Sequence, residues 1–231
     1  MRIFVRPEML DEGMLAITGD EHHYLSRVRR ARPGDTVELV DGAGRRAAAT
    51  ITAITDGATE LAVGAPEAVP AAVPLVRAAI PWIKGDRMEW CIEKLVEAGA
   101  DQIVVWPAAR AVVQLDGDRL AARIAKLAAA AQAAARQCGC AHVPSVAAAA
   151  SLAAAVPSDG LCIVLDPSSN RALEVGGATY VTLVSGPEGG LSPEELESLT
   201  ACTAVGLGPR IVRAETAPVL ATALVRAQTR T

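Results

Sequence analysis

The chain has 231 residues, of which 51% are hydrophobic, 21% are charged and 3% are aromatic, and its formal net charge at pH 7 is −4. A chain of this length accommodates two domains and buries about 70% of the surface that its unfolded state exposes, so it needs no metal or disulfide for stability. The few aromatic residues and the mild acidity argue against a nucleic-acid-binding protein built on stacked aromatic platforms, and against a uniformly basic one.

Short β-like runs dominate the chain up to about residue 65. They are separated by turns that contain Asp-Gly, and they comprise Thr36–Val40, Ala47–Ile54 and Thr59–Val63. Several short strands at this spacing predict a small barrel. Pro66, Pro70 and Pro74 follow closely and favour an extended linker. We therefore expect a domain boundary near residue 70, with domains at 1–70 and 71–231.

Beyond the linker, strand and helix patterns alternate. Short apolar runs predict strands at Leu75–Ile80, Gln102–Trp106, Leu161–Leu165, Val181–Ser185 and Ala204–Leu207. Helical periodicity and capping signals predict helices over Asp86–Ala98, over Asp118–Arg136, from Ser192, and from Glu215 to about Gln228. The alanine tracts at 128–135 and 147–155 also favour helix. Repeated β-α units predict an α/β domain with a mostly parallel sheet that is covered on both faces.

The cysteines and the apolar segments indicate where the protein works. The cysteines are odd in number and irregularly spaced: Cys91, Cys138, Cys140, Cys162 and Cys202. This pattern is typical of reduced thiols in a cytosolic protein, and we expect neither a metal site nor a disulfide. The N-terminus lacks an apolar signal core, and charged residues interrupt the alanine-rich stretch from Leu120 to Ala135. We therefore expect a soluble, cytoplasmic protein without a membrane span.

Several common enzyme motifs are absent from the sequence. None of the lysines follows a glycine, which excludes a phosphate-binding P-loop, and no Gly-x-Ser-x-Gly motif is present. The segment that starts at Gly206 begins like a dinucleotide-binding fingerprint, but Ile211 stands where the third glycine belongs. The usual sequence support for kinases, hydrolases and dehydrogenases is therefore missing.

Two loops that contain Gly-Pro follow predicted strands. The first reads Ser185-Gly186-Pro187-Glu188-Gly189-Gly190, and the second runs from Leu207-Gly208-Pro209-Arg210 to Thr216. Either loop alone is explained by a tight turn between a strand and a helix. Ligands of α/β sheets gather at the carboxyl ends of strands, however, and glycine lets the backbone approach a ligand closely. Two such loops in consecutive units favour one shared ligand site.

The motifs GPEGG and LGPRIVRAETA resemble the paired C-terminal signatures of the SPOUT-class RNA methyltransferases. Within that class the chain is similar to the family that methylates N3 of a uridine in bacterial 16S ribosomal RNA (the RsmE type). The similarity extends to the segment from Asp20 through Arg30 to Asp35, and to the segments Lys84–Glu89 and Lys94–Gly99. It covers nearly the whole chain.

This resemblance implies a PUA-like β-barrel at the N-terminus that helps to hold RNA, and a C-terminal domain with a trefoil knot in its sheet. It also implies S-adenosylmethionine as the cofactor, 16S ribosomal RNA or the small ribosomal subunit as the partner, and a homodimer. The residues that correspond to the cofactor loops are Gly186, Pro187, Glu188, Gly189, Gly190, Leu207, Gly208, Pro209, Ile211 and Val212. The chain departs from the family at Cys140, where an arginine is usual, and Arg136 lies close enough in sequence to replace part of that charge.

Charged residues of the second loop suggest how the reaction is assisted. Methylation of uracil N3 requires loss of the N3 proton and stabilisation of the resulting anion. We expect Arg210 or Arg213 to stabilise the anion and Glu215 or Glu188 to accept the proton, directly or through water. Glu215 has an alternative role, because a carboxylate at a helix N-terminus is stabilised by the helix dipole.

A cluster of arginines in the N-terminal region is a candidate RNA-binding site. It comprises Arg27, Arg29, Arg30 and Arg32. Such a run is often only a solvated face, but next to a methyltransferase domain, contact with RNA phosphates is the better interpretation.

The leading hypothesis is therefore a methyltransferase that makes 3-methyluridine in 16S ribosomal RNA. The alternatives are a knotted methyltransferase that acts on another RNA or on another atom, such as a ribose 2′-oxygen, and a non-catalytic RNA-binding assembly factor.

Overall fold

The computed structural model describes residues 1–110 and 117–229, which form two compact units. The first unit comprises Met1–Ala71 together with Ala135–Val143. The second unit comprises the other described residues. Among the described residues of both units, no helix combines the length and the apolar character of a membrane span.

The first unit is built on a sheet in which six strands are described. In chain order they are β1 (Arg2–Phe4), β2 (Gly13–Ile17), β3 (Thr36–Val40), β4 (Arg45–Ile54), β5 (Thr59–Val63) and β6 (Glu67–Ala68). The spatial order is β1-β3-β4-β5-β2, and β6 pairs with β4. β1 runs parallel to β3, and the other pairs are antiparallel. The sequence pattern predicted β3 and β5 with these bounds.

The core of the first unit follows from alternation along its strands. In β5, Thr59, Leu61 and Val63 are buried, and the residues between them are exposed. Because successive side chains of a strand point to opposite faces, one face of the sheet covers a core that includes Ile3, Leu25 and other aliphatic residues. Leu25 comes from a π-helical turn, Tyr24–Val28, that follows the short helix α1 (Gly19–His23).

The segment Ala135–Val143 packs against the strands of the first unit. The backbone N–H of Val143 donates to the carbonyl of Gly42 at 2.8 Å, and that of Gly44 donates to the carbonyl of Ala141 at 3.0 Å. Arg136 lies over the Phe4 ring, 5.7 Å from its centroid. The first unit is therefore built from two separate stretches of sequence.

The second unit contains a fully parallel sheet. Its described strands are β7 (Leu75–Pro81), β8 (Gln102–Trp106), β9 (Ser145–Ala148), β10 (Leu161–Leu165), β11 (Tyr180–Val184) and β12 (Thr203–Val205), in the spatial order β12-β10-β11-β7-β8-β9. Every pairing in it is parallel. The predicted α/β class with a mostly parallel sheet is confirmed.

Apolar residues cover both faces of this sheet. The helices that follow the strands are α2 (Arg87–Ala98), α3 (Gly117–Cys138), α4 (Leu152–Ala155), α5 (Pro193–Glu197) and α6 (Ala217–Gln228). Val181 and Leu183 of β11 pack in one cluster with Val225 of α6, whereas Val184 packs in another with Leu152 of α4. Burial on both faces explains why the strands of this unit are continuous apolar runs.

Two expectations from the sequence are wrong in this unit. The alanine tract at 147–155 is not one helix, because Ala147 and Ala148 belong to β9, which pairs with β8, and the helix begins only at Leu152. The expectation that all cysteines are reduced fails for Cys162 and Cys202, which form a disulfide. β10 and β12 are neighbours and Ile163 pairs with Thr203, so the preceding residues lie side by side with their Cα atoms 4.6 Å apart.

Candidate active site

A cavity of about 520 Å³ lies at the carboxyl ends of β10, β11 and β12. Three chain segments form its walls, one after each strand. They contribute Val164–Pro167, Ser185–Glu188 with Gly190 and Leu191, and Val205 with Leu207, Gly208 and Arg210–Ala214. Leu196 of α5 and Ala217 of α6 complete the lining. This is the edge of the sheet at which α/β proteins bind their ligands.

The first loop is fixed by a turn and by the start of α5. The N–H of Gly190 donates to the carbonyl of Pro187 at 2.9 Å, and Gly190 has a φ of +72°, which favours glycine. Ser192 then caps α5: its hydroxyl accepts from the N–H of Glu195, whose carboxylate accepts from the N–H of Ser192 at 2.7 Å. This capping box confirms the predicted helix start.

The second loop depends on two glycines for different reasons. Gly208 has a φ of +113°, a backbone conformation that other residues rarely adopt. A Cβ on Gly206 would lie 2.1 Å from the carbonyl oxygen of Ser169, so only glycine allows these two backbones to approach. The N–H of Gly206 donates to the carbonyl of Arg171 at 3.0 Å, which holds the segment after β10 against the second loop.

The site residues predicted from the sequence do not include the wall of the cavity that follows β10. Asp166 directly follows this strand, and its Oδ1 accepts hydrogen bonds from the backbone N–H of Ser168 at 2.8 Å and from the Ser168 hydroxyl at 2.7 Å. An Asp-Pro pair directly after a buried strand is the signal that could have predicted this turn.

The cavity brings together most of the predicted site residues. Those that line it are Gly186, Pro187, Glu188, Gly190, Leu207, Gly208, Arg210, Ile211, Val212 and Arg213. Gly189, Pro209 and Glu215 are not among the described residues of its lining. The two loops thus form one cavity, and the charged residues Glu188, Arg210 and Arg213 are on its walls.

Glu215 is buried beside the cavity, with only 7% of its side chain exposed. Its Oε1 lies 3.5 Å from Nη1 of Arg87 and 3.8 Å from Nη1 of Arg213. Its Oε2 has no hydrogen-bond partner among the described residues. Arg87 also lies 3.6 Å from the carboxylate of Glu188. Arg87 is a second residue that was missed in the sequence, because nothing local shows which carboxylates its side chain reaches.

The arginine cluster lies on the first unit. Arg27, Arg29, Arg30 and Arg32 are all exposed. Within the described part of the chain, none of the four forms an ion pair with a carboxylate. Among the described residues, no carboxylate thus binds their guanidinium groups in an ion pair, which leaves these groups available to a polyanion.

Comparison with known proteins identifies related chains. A family model described as RNA methyltransferase domain matches residues 71–226, and one described as RNA methyltransferase PUA domain matches residues 17–62. A ribosomal RNA small subunit methyltransferase E of Mycobacterium tuberculosis is 34% identical over 95% of this chain and 88% of its own length. The Bacillus subtilis protein of the same name is 30% identical over 93% of this chain and 90% of its own length.

Solved structures share the fold over nearly the whole chain. A ribosomal RNA small subunit methyltransferase E from Neisseria gonorrhoeae, bound to S-adenosyl methionine, has a TM-score of 0.80 and 27% identity, and the match covers 98% of this chain and 97% of that one. A methyltransferase from Legionella pneumophila has the same TM-score at 24% identity, with the same coverage. With cavity, loops and relatives in agreement, the chain belongs to the ribosomal RNA small subunit methyltransferase E family of RNA methyltransferases.

Proposed function

We propose that this protein transfers a methyl group from S-adenosylmethionine to N3 of a uridine in 16S ribosomal RNA. The observation that carries the proposal is the joining of both Gly-Pro loops around one cavity of about 520 Å³. Relatives at 30–34% identity are small-subunit ribosomal RNA methyltransferases, and a structure of the same fold contains the cofactor.

The residues of the cavity fit this cofactor. The volume lies within the range of about 300–1,000 Å³ that is usual for small-molecule sites. The walls offer apolar surface from Val164, Leu165 and Leu207, which suits an adenosine. The Ser185 hydroxyl is buried at the cavity with no hydrogen-bond partner among the described residues, so it is available to a ligand. The Glu188 carboxylate suits a cationic ligand.

When bound, S-adenosylmethionine supplies an electrophilic methyl group on a positively charged sulfur. The two loops hold the cofactor through Gly186, Pro187, Glu188, Gly189, Gly190, Leu207, Gly208, Pro209, Ile211 and Val212. Positioning of both reactants is the main contribution that a protein makes to such a displacement.

Side chains around the cavity assist the removal of the N3 proton. Arg210 and Arg213 line the cavity and stabilise the negative charge that uracil carries once N3 has lost its proton. Glu188 is the first candidate for the proton acceptor, because it lines the cavity and its side chain is 59% exposed. Glu215 is the alternative acceptor; because its carboxylate is buried beside Arg87 and Arg213, it accepts the proton through water.

The other parts of the proposal concern the whole protein. Residues 1–70 form the PUA-like barrel, with Arg27, Arg29, Arg30 and Arg32 on RNA phosphates, and residues 71–231 form the methyltransferase domain, whose last segments thread a trefoil knot. The protein acts in the cytoplasm as a homodimer on 16S ribosomal RNA or the small subunit.

Size-exclusion chromatography with light scattering tests the dimer. A mass that corresponds to the monomer at working concentration contradicts it.

Mass mapping of 16S ribosomal RNA tests the reaction. A strain from which the gene is deleted is expected to lack one 3-methyluridine, and the wild-type protein is expected to restore it. Loss of a ribose 2′-O-methyl group instead would show a different target atom. An unchanged modification pattern, together with no binding of S-adenosylmethionine in calorimetry, would leave an RNA-binding assembly factor as the function.

A further inference from the structure

Arg87 connects the two loops of the cavity. It is the first residue of α2, and its Nη1 atom lies 3.6 Å from Oε1 of Glu188 in the first loop. The same atom lies 3.5 Å from Oε1 of Glu215, at the end of the second loop. One guanidinium nitrogen is thus close to a carboxylate from each loop.

The position of Arg87 is set by α2. The helix follows Gly85, which has a φ of +72°, and its buried residues include Cys91, one turn after Arg87. Residues four apart lie on the same face of a helix, so Arg87 and Cys91 both face Glu215. Burial raises the pKa of the Cys91 thiol to about 12, and the negative charge of Glu215 adds to that rise. The carboxylate is therefore close to this face of the helix.

Glu215 needs a compensating charge, and Arg87 is the better placed source. A buried carboxylate without a cation is strongly unfavourable. Arg213 is 3.8 Å from Glu215 and its side chain is 77% exposed, whereas Arg87 is closer and 44% exposed. Arg87 therefore contacts the buried carboxylate of Glu215, and the same nitrogen reaches the exposed carboxylate of Glu188.

We propose that Arg87 is a positioning residue for methyl transfer, which holds the first loop against the second through Glu188 and Glu215 before the cofactor binds. The inference rests on the proposed function, because the contacts of Arg87 matter for methyl transfer only if the cavity binds the cofactor. Their effect is to order the walls of the cofactor site in advance. A site that is ordered in advance binds more tightly, since binding does not have to fix mobile loops.

The test measures affinity for S-adenosylmethionine by calorimetry and amide exchange of the first loop in the cofactor-free protein. Arg87→Gln is expected to raise the Kd on the order of tenfold and to speed exchange at Gly190. Arg87→Lys is expected to keep most of the affinity, because the contacts depend on one charged nitrogen and not on a bidentate fork. In a double-mutant cycle, Glu188→Gln is expected to cost less affinity in the Arg87→Gln background than in the wild type.

Arg123→Gln is the matched control. Arg123 lies on α3 and forms an ion pair with Glu89 of α2, the helix that carries Arg87, at an N–O distance of 2.7 Å. The substitution removes this ion pair and leaves both loops unchanged. Wild-type affinity and wild-type loop exchange are expected for it.

Different outcomes separate the inference from the proposed function. Failure of the wild-type protein to bind S-adenosylmethionine overturns the proposed function, and amide exchange then still decides whether Arg87 holds the first loop. Binding in the wild type with an unchanged Kd and unchanged exchange in Arg87→Gln overturns the inference alone. Equal losses in the Gln and Lys variants, or additive effects with Glu188→Gln, also overturn it. If Arg87→Gln does not fold, exchange at Gly190 in cofactor-free Glu188→Gln is the measurement, and wild-type exchange contradicts the inference.

Discussion

Asp41 uses both carboxylate oxygens to close the turn between β3 and β4. Its Oδ1 accepts from the N–H groups of Ala43 at 2.8 Å and Arg45 at 3.0 Å, and its Oδ2 accepts from Nε of Arg45 at 2.7 Å. Burial by itself would raise the pKa of Asp41. The hydrogen bonds from Arg45 and Ala43 together outweigh burial, so the pKa lies below its usual value.

Replacement of Asp41 by Asn is expected to destabilise the protein by about 1–3 kcal/mol at pH 7, because charge-assisted hydrogen bonds are lost. A lowered folded-state pKa means that the carboxylate contributes stability above the unfolded-state pKa of about 3.9 and loses it as pH falls through the folded-state pKa. The difference between wild type and variant should therefore shrink below pH 4. Urea unfolding followed by circular dichroism at pH 7 and pH 3 measures it.

Asp56→Asn in the other Asp-Gly turn is the control, because Asp56 is exposed. An equal loss in both variants, or a difference that does not change with pH, would contradict the role of the Asp41 charge.

At the scale of elements, Arg226 of α6 connects this helix with the end of α2. Its guanidinium donates to the carbonyl of Gly99 at 2.6 and 2.8 Å, to the carbonyl of Pro74 at 2.6 Å, and to the carboxylate of Asp101. Gly99 ends α2 with a φ of +96°, and a Cβ there would lie 3.0 Å from Arg226. The left-handed turn favours glycine at this position, and a Cβ there would also crowd the side chain of Arg226.

Arg226→Met is expected to lower the free energy of unfolding by about 2–4 kcal/mol, since it leaves two carbonyls and a carboxylate without their donor. Thermal and urea unfolding measure the change. Arg119→Met, on an exposed position of α3, serves as the control. A loss below about 0.5 kcal/mol, the usual effect of a surface substitution, would show that water replaces the guanidinium without cost.

The sequence predicted those elements whose signal is local. The strands Thr36–Val40, Thr59–Val63, Gln102–Trp106 and Leu161–Leu165 have the predicted bounds, because apolar runs and flanking turns define them. β1 and β2 were missed since they are short and pair with strands distant in sequence. The alanines of β9 predict helix, because alanine favours helix by itself, and only pairing with β8 makes this segment a strand.

The same distinction holds for the candidate site: the parts with a local signal could be predicted from the sequence, and the parts that depend on distant contacts could not. Glycine and proline mark both loops in the sequence, and the structure brings them to one cavity. The reach of Arg87 to Glu188 and Glu215, and the pairing of Cys162 with Cys202, depend on which elements become neighbours. Local patterns do not carry that information.

At the scale of the whole molecule, the net charge of −4 conceals an uneven distribution. Arg27, Arg29, Arg30 and Arg32 are exposed within a short stretch of the first unit. Because RNA responds to local potential, such a stretch supports binding by an acidic protein.

The triple variant with Arg29, Arg30 and Arg32 changed to Ala is expected to bind 16S ribosomal RNA fragments more weakly. Its plot of log affinity against log salt should be flatter by about two units, since each phosphate contact contributes about 0.7. Fluorescence anisotropy at salt concentrations from about 50 to about 200 mM measures both the affinity and its dependence on salt. Removal of Arg119, Arg123 and Lys126 from α3 gives the same change in charge and is the control. Equal effects of both triple variants would point to net charge and not to this surface.

The division of the first unit into two stretches of sequence affects how the protein is made. After Ala71 the ribosome must add 72 further residues, Ala72 to Val143, before this unit has its full set of contacts. At about 5–20 residues per second, this takes about 4–14 s. For most of that interval the nascent chain presents Phe4 without Arg136 over its ring, the carbonyl of Gly42 without the N–H of Val143, and the N–H of Gly44 without the carbonyl of Ala141. The N-terminal strands therefore emerge first and can pair with one another, but the first unit gains its last contacts only after Ala135–Val143 has been made.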